Sequence, residues 1–291
     1  MRRAVVVVMV GVLAGCGQHG DAQPRATPSV AASTTLAAAA GASLVRLALS
    51  DGSQGYLQQL DMRRMRIEQV VGPRDPTRPA TPGAYYPGSP SPRFTRIPPD
   101  RVEQDCRTRF GSTLFSVVNF AFFEEYDAST RLSFPAKAHG AVLSGGSSPY
   151  GPVAAPSAAY YRGVTLGALV WTDQRAEVVR YDPATGAPLN KAPDGLISYA
   201  YRDHPARALN GDPPNRYQLV GVNGQYLLIL TVEHATLEAA AEVLRTRGAT
   251  GDILTFDGGV STFLWQAAAG QLVSITNKDG ALPHYLCIHA A

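Results

Sequence analysis

The chain has 291 residues, 45% of them apolar and 17% charged, with a formal net charge of +3. That is enough for one large domain or two small ones. The near-neutral surface lacks the basic stripe that a nucleic-acid partner requires, and nothing after the first 15 residues approaches the ~18 uninterrupted apolar residues of a membrane span.

At the N-terminus, Arg2 and Arg3 precede an apolar run over 4–13 that has signal-peptide length and is short for a bilayer span. Leu13-Ala14-Gly15-Cys16 follows and resembles the lipobox of bacterial lipoproteins. The resemblance implies a signal peptide over 1–15, a lipidated Cys16, and a protein held in the cell envelope outside the cytoplasm. Two acyl chains anchor stably, because each buried methylene adds about 0.8 kcal/mol. An ordinary signal peptide with a cysteine near its cleavage site is the alternative. Loss of Arg2 and Arg3 takes the net charge from +3 to +1. Residues 17–43, rich in Ala, Ser, Thr, Gly, Gln and Pro, read as a flexible tether. The folded domain is therefore expected over 44–291.

Within that domain, 44–49, 55–60 and 65–71 read as three short strands. Nine prolines lie from Pro73 to Pro99 inclusive, a stretch that reads as a surface loop or a lid. Pro98 and Pro99 start a predicted helix that runs to about Phe110 and closes at Gly111. Residues 113–119 read as a buried strand, and 163–170 with 176–181 as two strands joined by Thr172-Asp173-Gln174-Arg175. A hairpin is predicted over 217–222 and 226–232, turning at Asn223-Gly224, where left-handed angles are cheap. A helix over 237–247 is capped by Thr236 and ended by Gly248, with Leu237, Ala240, Ala241 and Leu244 on its apolar face. A buried strand over 252–256 and two more short strands to Ile275 complete an α+β pattern.

Beyond Cys16 only Cys106 and Cys287 remain; they fit one disulfide in an oxidising compartment or two small buried hydrophobes equally well. No CxxC or HExxH pattern occurs, and His284 and His289 on a strand would face opposite sides, so no metal or cofactor is expected.

The segment Asp257-Gly258-Gly259-Val260-Ser261-Thr262 carries the most chemistry. It places a carboxylate at the end of a buried strand, followed by two glycines that admit unusual backbone angles and close approach of a ligand. Its amides and hydroxyls can form an anion-binding nest; a plain Asp-Gly hairpin turn is the bland alternative. Upstream stand Asn119-Phe120-Ala121-Phe122-Phe123, closing a hydrophobic strand, and Arg216, just before the hairpin. This order resembles the phosphodiester glycosidase family, in which an Asn-Gly-Gly-Phe-Phe segment, an arginine before a glycine-ended strand, a helix, and an Asp-Gly-Gly-Gly-Ser segment build the site. The resemblance covers about residues 55–290. It implies a curved, largely antiparallel sheet with a few packed helices, and hydrolysis of a sugar-1-phosphodiester at the sugar–oxygen bond. The chain departs from the family at Phe120-Ala121, at Val260, and at Glu124-Glu125-Tyr126, where added side chains are expected to narrow the pocket.

Under that resemblance Asp257 stabilises an oxocarbenium-like sugar or activates water, with Glu124 as the second carboxylate. Arg216 suits bidentate phosphate binding, while Asn119, Gly258, Gly259, Ser261 and Thr262 line the substrate; strand alternation makes one of the last two hydroxyls structural. Plain readings stand beside these: a solvated charge for Glu124 and a surface ion pair for Arg216. His139 fits a proton shuttle or a loop histidine, and Tyr85, Tyr86, Tyr160 and Tyr161 fit sugar stacking or ordinary packing. A serine-hydrolase elbow fails, because Phe263 and Pro149 stand where Gly-x-Ser-x-Gly needs glycine. The expected function is a membrane-tethered hydrolase of a phosphate-linked sugar or envelope polysaccharide. The alternative is an envelope lipoprotein that binds glycan without turnover.

Overall fold

The computed structural model describes residues 30–124, 127–147, 164–267, 271–272 and 280–291. Cys16, Tyr160, Tyr161, the leader and the stretch to residue 29 therefore lie outside the described residues. The larger sheets use sixteen strands in chain order. The first eight are β1 (Val30–Ala39), β2 (Ala42–Leu49), β3 (Gln54–Asp61), β4 (Met65–Val71), β5 (Leu114–Asn119), β6 (Pro135–Ala138), β7 (Ala141–Gly145) and β8 (Leu166–Trp171). The rest are β9 (Ala176–Arg180), β10 (Asp194–Tyr199), β11 (Asn215–Asn223), β12 (Tyr226–Ala235), β13 (Thr250–Phe256), β14 (Leu264–Gln266), β15 (Gln271–Leu272) and β16 (His284–Ala290). The helices are α1 (Pro99–Phe110), α2 (Pro205–Ala208) and α3 (Leu237–Thr246).

The strands form three antiparallel sheets rather than the one curved sheet expected, and none is strongly curved. The first has the order β1-β2-β3-β12-β11-β13, the second β7-β6-β10-β8-β9, and the third β15-β14-β5-β16-β4. One apolar core lies among all three, joining Leu44, Leu227 and Leu254 to Leu286 and to Leu169. Each outer face has its own cover. The apolar stripe of α3, Leu237, Ala240, Ala241 and Leu244, packs on the first sheet with Leu219 and Leu230. Val102 and Cys106 of α1 pack on the third sheet with Val117 and Cys287, and Phe122, Tyr181 and Leu189 cover the second.

Local chemistry accounts for the predicted elements. Thr236 accepts a hydrogen bond from the Ala239 amide at 3.1 Å, capping α3, and Gly248 ends it at φ +87°. The hairpin turns on Gly224 and Gln225, one residue later than expected, with Gly224 at φ +57°. The tether prediction is corrected at its C-terminal end: residues 30–39 are β1, paired along β2. The proline-rich stretch is pinned to the body, with the Ala84 and Tyr85 amides donating to the Gly146 and Gly145 carbonyls at 2.7 and 3.1 Å. Cys106 and Cys287 form a disulfide, Cα atoms 6.1 Å apart, that ties α1 to β16. Among the described residues no helix is long and apolar enough to cross a membrane.

Registers across the first sheet run Ser33–Leu47–Gly55–Val232–Tyr217, and Phe256 pairs with Gln218 beside Tyr217. The start of β1 and the end of β13 therefore lie at the same end of that sheet, on its opposite edges.

Candidate active site

The candidate site sits where β13 ends and meets the end of β5. Between these sheets runs a buried polar ladder. Thr231 donates to the Gln218 side chain at 3.1 Å, and the Gln218 amide donates to the Asn119 carbonyl. Asn119 is the clamp. Its amide nitrogen donates to the Asp257 carbonyl at 3.0 Å and to the Asp257 carboxyl, while its side-chain oxygen accepts from the Phe263 amide at 2.8 Å. The Asp257 amide donates to the Phe120 carbonyl at 2.8 Å. Asn119 is buried and is bonded to the backbone at both ends of the loop, so it positions Asp257.

Asp257 keeps part of its surface exposed, but its carboxyl is so enclosed by protein that burial pushes it up to about 8; hydrogen bonds to Ser261 and Asn119 pull the other way. The neutral acid therefore predominates at neutral pH. The two glycines serve the backbone in different ways. A Cβ on Gly258 would stand 2.8 Å from the Arg216 carbonyl, so only glycine lets this loop lie against β11. Gly259 takes φ +59° and opens on free space.

The structure divides the sequence-derived candidates. Asn119, Asp257, Gly258, Gly259 and Ser261 come together, and the backbone of Arg216 lies alongside Gly258. Thr262 turns away and donates to the Gly259 carbonyl at 2.9 Å, so it is the structural hydroxyl of the pair. The Glu124 carboxylate pairs with Arg131 at 3.3 Å. His139 lies on an exposed turn, 3.1 Å from Glu68. Tyr85 packs on Phe134 at 5.6 Å, and Tyr86 packs against Gly186. The expected narrowing is not what two of the departures produce. Val260 is 56% exposed, and Phe120 is fully buried with its ring 4.1 Å from that of Phe256.

Two histidines with no predicted role here flank this cluster. His284 accepts from the Ala121 amide through Nδ1 at 3.4 Å, which leaves its proton on Nε2, 3.1 Å from the Gln69 side-chain oxygen. Gln69 in turn donates to the Lys137 carbonyl at 2.6 Å. His204 accepts from the Ala206 amide at 3.1 Å and is ringed by Phe122, Tyr199 and Tyr217 at 5.7–5.9 Å. Burial alone pushes His284 down to about 3 and His204 down to about 4, so both are neutral at pH 7. No local motif marks either residue; the only sequence signal is Pro205, which makes His204 a candidate cap for a short helix.

No protein-family model matches the chain, and no curated protein matches it. Its fold is similar to that of several solved structures. A hypothetical protein from Synechocystis superposes with a TM-score of 0.53 at 12% identity, covering 89% of this chain and 64% of that one. The zebrafish N-acetylglucosamine-1-phosphodiester alpha-N-acetylglucosaminidase catalytic domain, auto-inhibited by its pro-peptide, superposes with a TM-score of 0.51 at 14% identity, covering 89% of this chain and 83% of that one. At such identities the likeness is one of fold. The chain spans under two thirds of the Synechocystis protein's length.

Proposed function

We propose that this protein is a hydrolase of a sugar-1-phosphodiester or a related envelope-polysaccharide linkage, held in the cell envelope by lipid on Cys16. One observation carries the catalytic reading: a carboxyl at a strand end, kept protonated by burial and aimed by Asn119 and Ser261. The fold shared with a phosphodiester glycosidase domain supports it. The raised carboxyl changes the role expected for Asp257. A neutral acid does not stabilise an oxocarbenium ion by charge; it donates a proton. In the proposed reaction the sugar C1–O bond breaks and the phosphate leaves with the bonding electrons. The Asp257 proton goes to a phosphate oxygen; water then adds to C1 and gives up a proton, which restores the Asp257 acid and leaves the free sugar. Phosphate is already a good leaving group, so this assistance is modest, and the C1 cation needs little base to capture water. Arg216, beside Gly258, is the proposed phosphate ligand.

The test is sugar release from an activated sugar-1-phosphodiester by the purified protein. Asp257→Asn is expected to lower kcat about 10²- to 10⁴-fold, the usual weight of a positioned acid; sugar released by the variant at the parental rate would overturn the assignment. The anchor is tested separately: Cys16→Ser should move the protein from the membrane fraction to the soluble one, and continued membrane association would count against lipidation.

A second reading, glycan binding without turnover, draws on the pairing of Glu124 with Arg131, which engages the candidate second carboxylate in an ion pair. Saturable glycan binding with no product over a broad substrate panel would favour it.

A further inference from the structure

Along β5, Phe115 lies four residues before Asn119, roughly 13 Å away by strand rise. A cavity of about 550 Å³ opens there, at the end of the sheets remote from Asp257. Its size falls within the range of about 300–1,000 Å³ typical of small-molecule sites. The floor is apolar and buried, made by Met65, Leu114 and Phe115, with Trp265 as one wall. Ala38, Ala267 and Ala290 line other sides, and their short side chains leave the space open. Two lining polar groups are already engaged: the exposed Thr113 donates to the Phe110 carbonyl at 2.7 Å and the buried Gln266 to the Phe115 carbonyl at 3.3 Å.

The mouth is different. Arg107 and Ser112 are both exposed there. The Arg107 guanidinium lies 5.9 Å from the Trp265 ring centre and gives only Nη1 to Glu103, at 3.2 Å. Its other donors, like the Ser112 hydroxyl, have no protein partner among the described residues. A sugar would bury hydroxyls against a wall with nothing to bond them, at the cost of unsatisfied polar groups. An apolar chain loses nothing on that wall, and an anionic group at its end meets the free donors of Arg107.

We propose that this cavity is a second binding site, for a single acyl chain carrying an anionic head. The chain lies on Met65 and Phe115, and the head at Arg107 and Ser112. The proposal is independent of the chemistry at Asp257.

The protein has two tryptophans, so Trp171→Phe leaves Trp265 as the sole reporter. Titration with octanoate, decanoate and dodecanoate, each below its micelle concentration, should give a saturable change in Trp265 fluorescence. Affinity should rise about fourfold per methylene, the factor that corresponds to burying one such group. Arg107→Gln should weaken dodecanoate about tenfold and leave dodecanol unchanged, while Ala267→Leu should close the cavity to both. Dodecyltrimethylammonium, with the same chain and a cationic head, should fail to bind at the same concentrations. Calorimetry on the unsubstituted protein must give the same ranking, which keeps the test independent of whether any variant folds. No saturable dodecanoate binding, or equal affinity for the cationic amphiphile, would overturn the proposal.

Discussion

Asp257 and Gly258 show how much a single position can demand. The proposed use of Asp257 as an acid has a sign: kcat/KM for sugar release is expected to hold at neutral pH and fall as pH rises through about 8, where the carboxyl ionises. A rate that instead climbs through the same range would assign Asp257 the role of a base. Gly258 is a matter of space. Alanine there would put a methyl group 2.8 Å from the Arg216 carbonyl, forcing the loop off β11. Gly258→Ala should therefore cost about 1–3 kcal/mol, the range for overpacking a tight site, read as a shift in the denaturation midpoint. It should also depress turnover by moving Asp257. A variant as stable and active as the parent would mean that the loop has slack.

At the scale of elements, what was legible in the sequence follows from how local its causes are. The α3 helix carries its cap, its stripe and its terminating glycine within thirteen residues, and the β11–β12 hairpin carries its turn, so both could be read directly. Strand β1 could not: its Ala, Ser and Thr run has the composition of a linker, and pairing with β2 makes it a strand. Strand β10 begins Asp194-Gly195 after a proline and falls in no predicted element, yet it is the centre of the second sheet, where Gly195 fits because a Cβ would meet Leu189 and Leu169. The site divides in the same way. Asp257 and its glycines announce themselves at a strand end, whereas His284 reaches Ala121 across 163 positions that no local pattern spans. The link from α1 to β16 is equally remote, its cysteines 181 residues apart. Replacing both Cys106 and Cys287 with serine should cost about 2–5 kcal/mol, measured by chemical denaturation. A cost near zero would show that packing alone secures the helix.

For the molecule as a whole, the buried titrating groups set opposing limits on stability. His204 and His284 have folded values below the unfolded 6.5, so the stability they contribute is lost as pH falls below about 6.5. Asp257 has a folded value above its unfolded 3.8, so stability declines as pH rises from about 4 towards 8. Between pH 4 and 6.5 two histidines oppose one carboxyl, and above 6.5 the carboxyl acts alone. Maximum stability is therefore expected near pH 6.5. His284→Gln should flatten the acid limb and Asp257→Asn the alkaline one, both followed by melting temperature against pH; a parental curve unchanged by either substitution would refute the assignment. The first sheet also fixes how the protein can search. Val30 and Asp257 share one end of it, five strand gaps or roughly 24 Å apart. Under the proposed anchor, the fourteen steps from Cys16 to Val30 extend at most about 50 Å. The catalytic group would then patrol a shallow layer above the bilayer and meet its substrate by lateral diffusion. Its turnover would be governed by substrate per unit of membrane area more than by substrate per unit of volume.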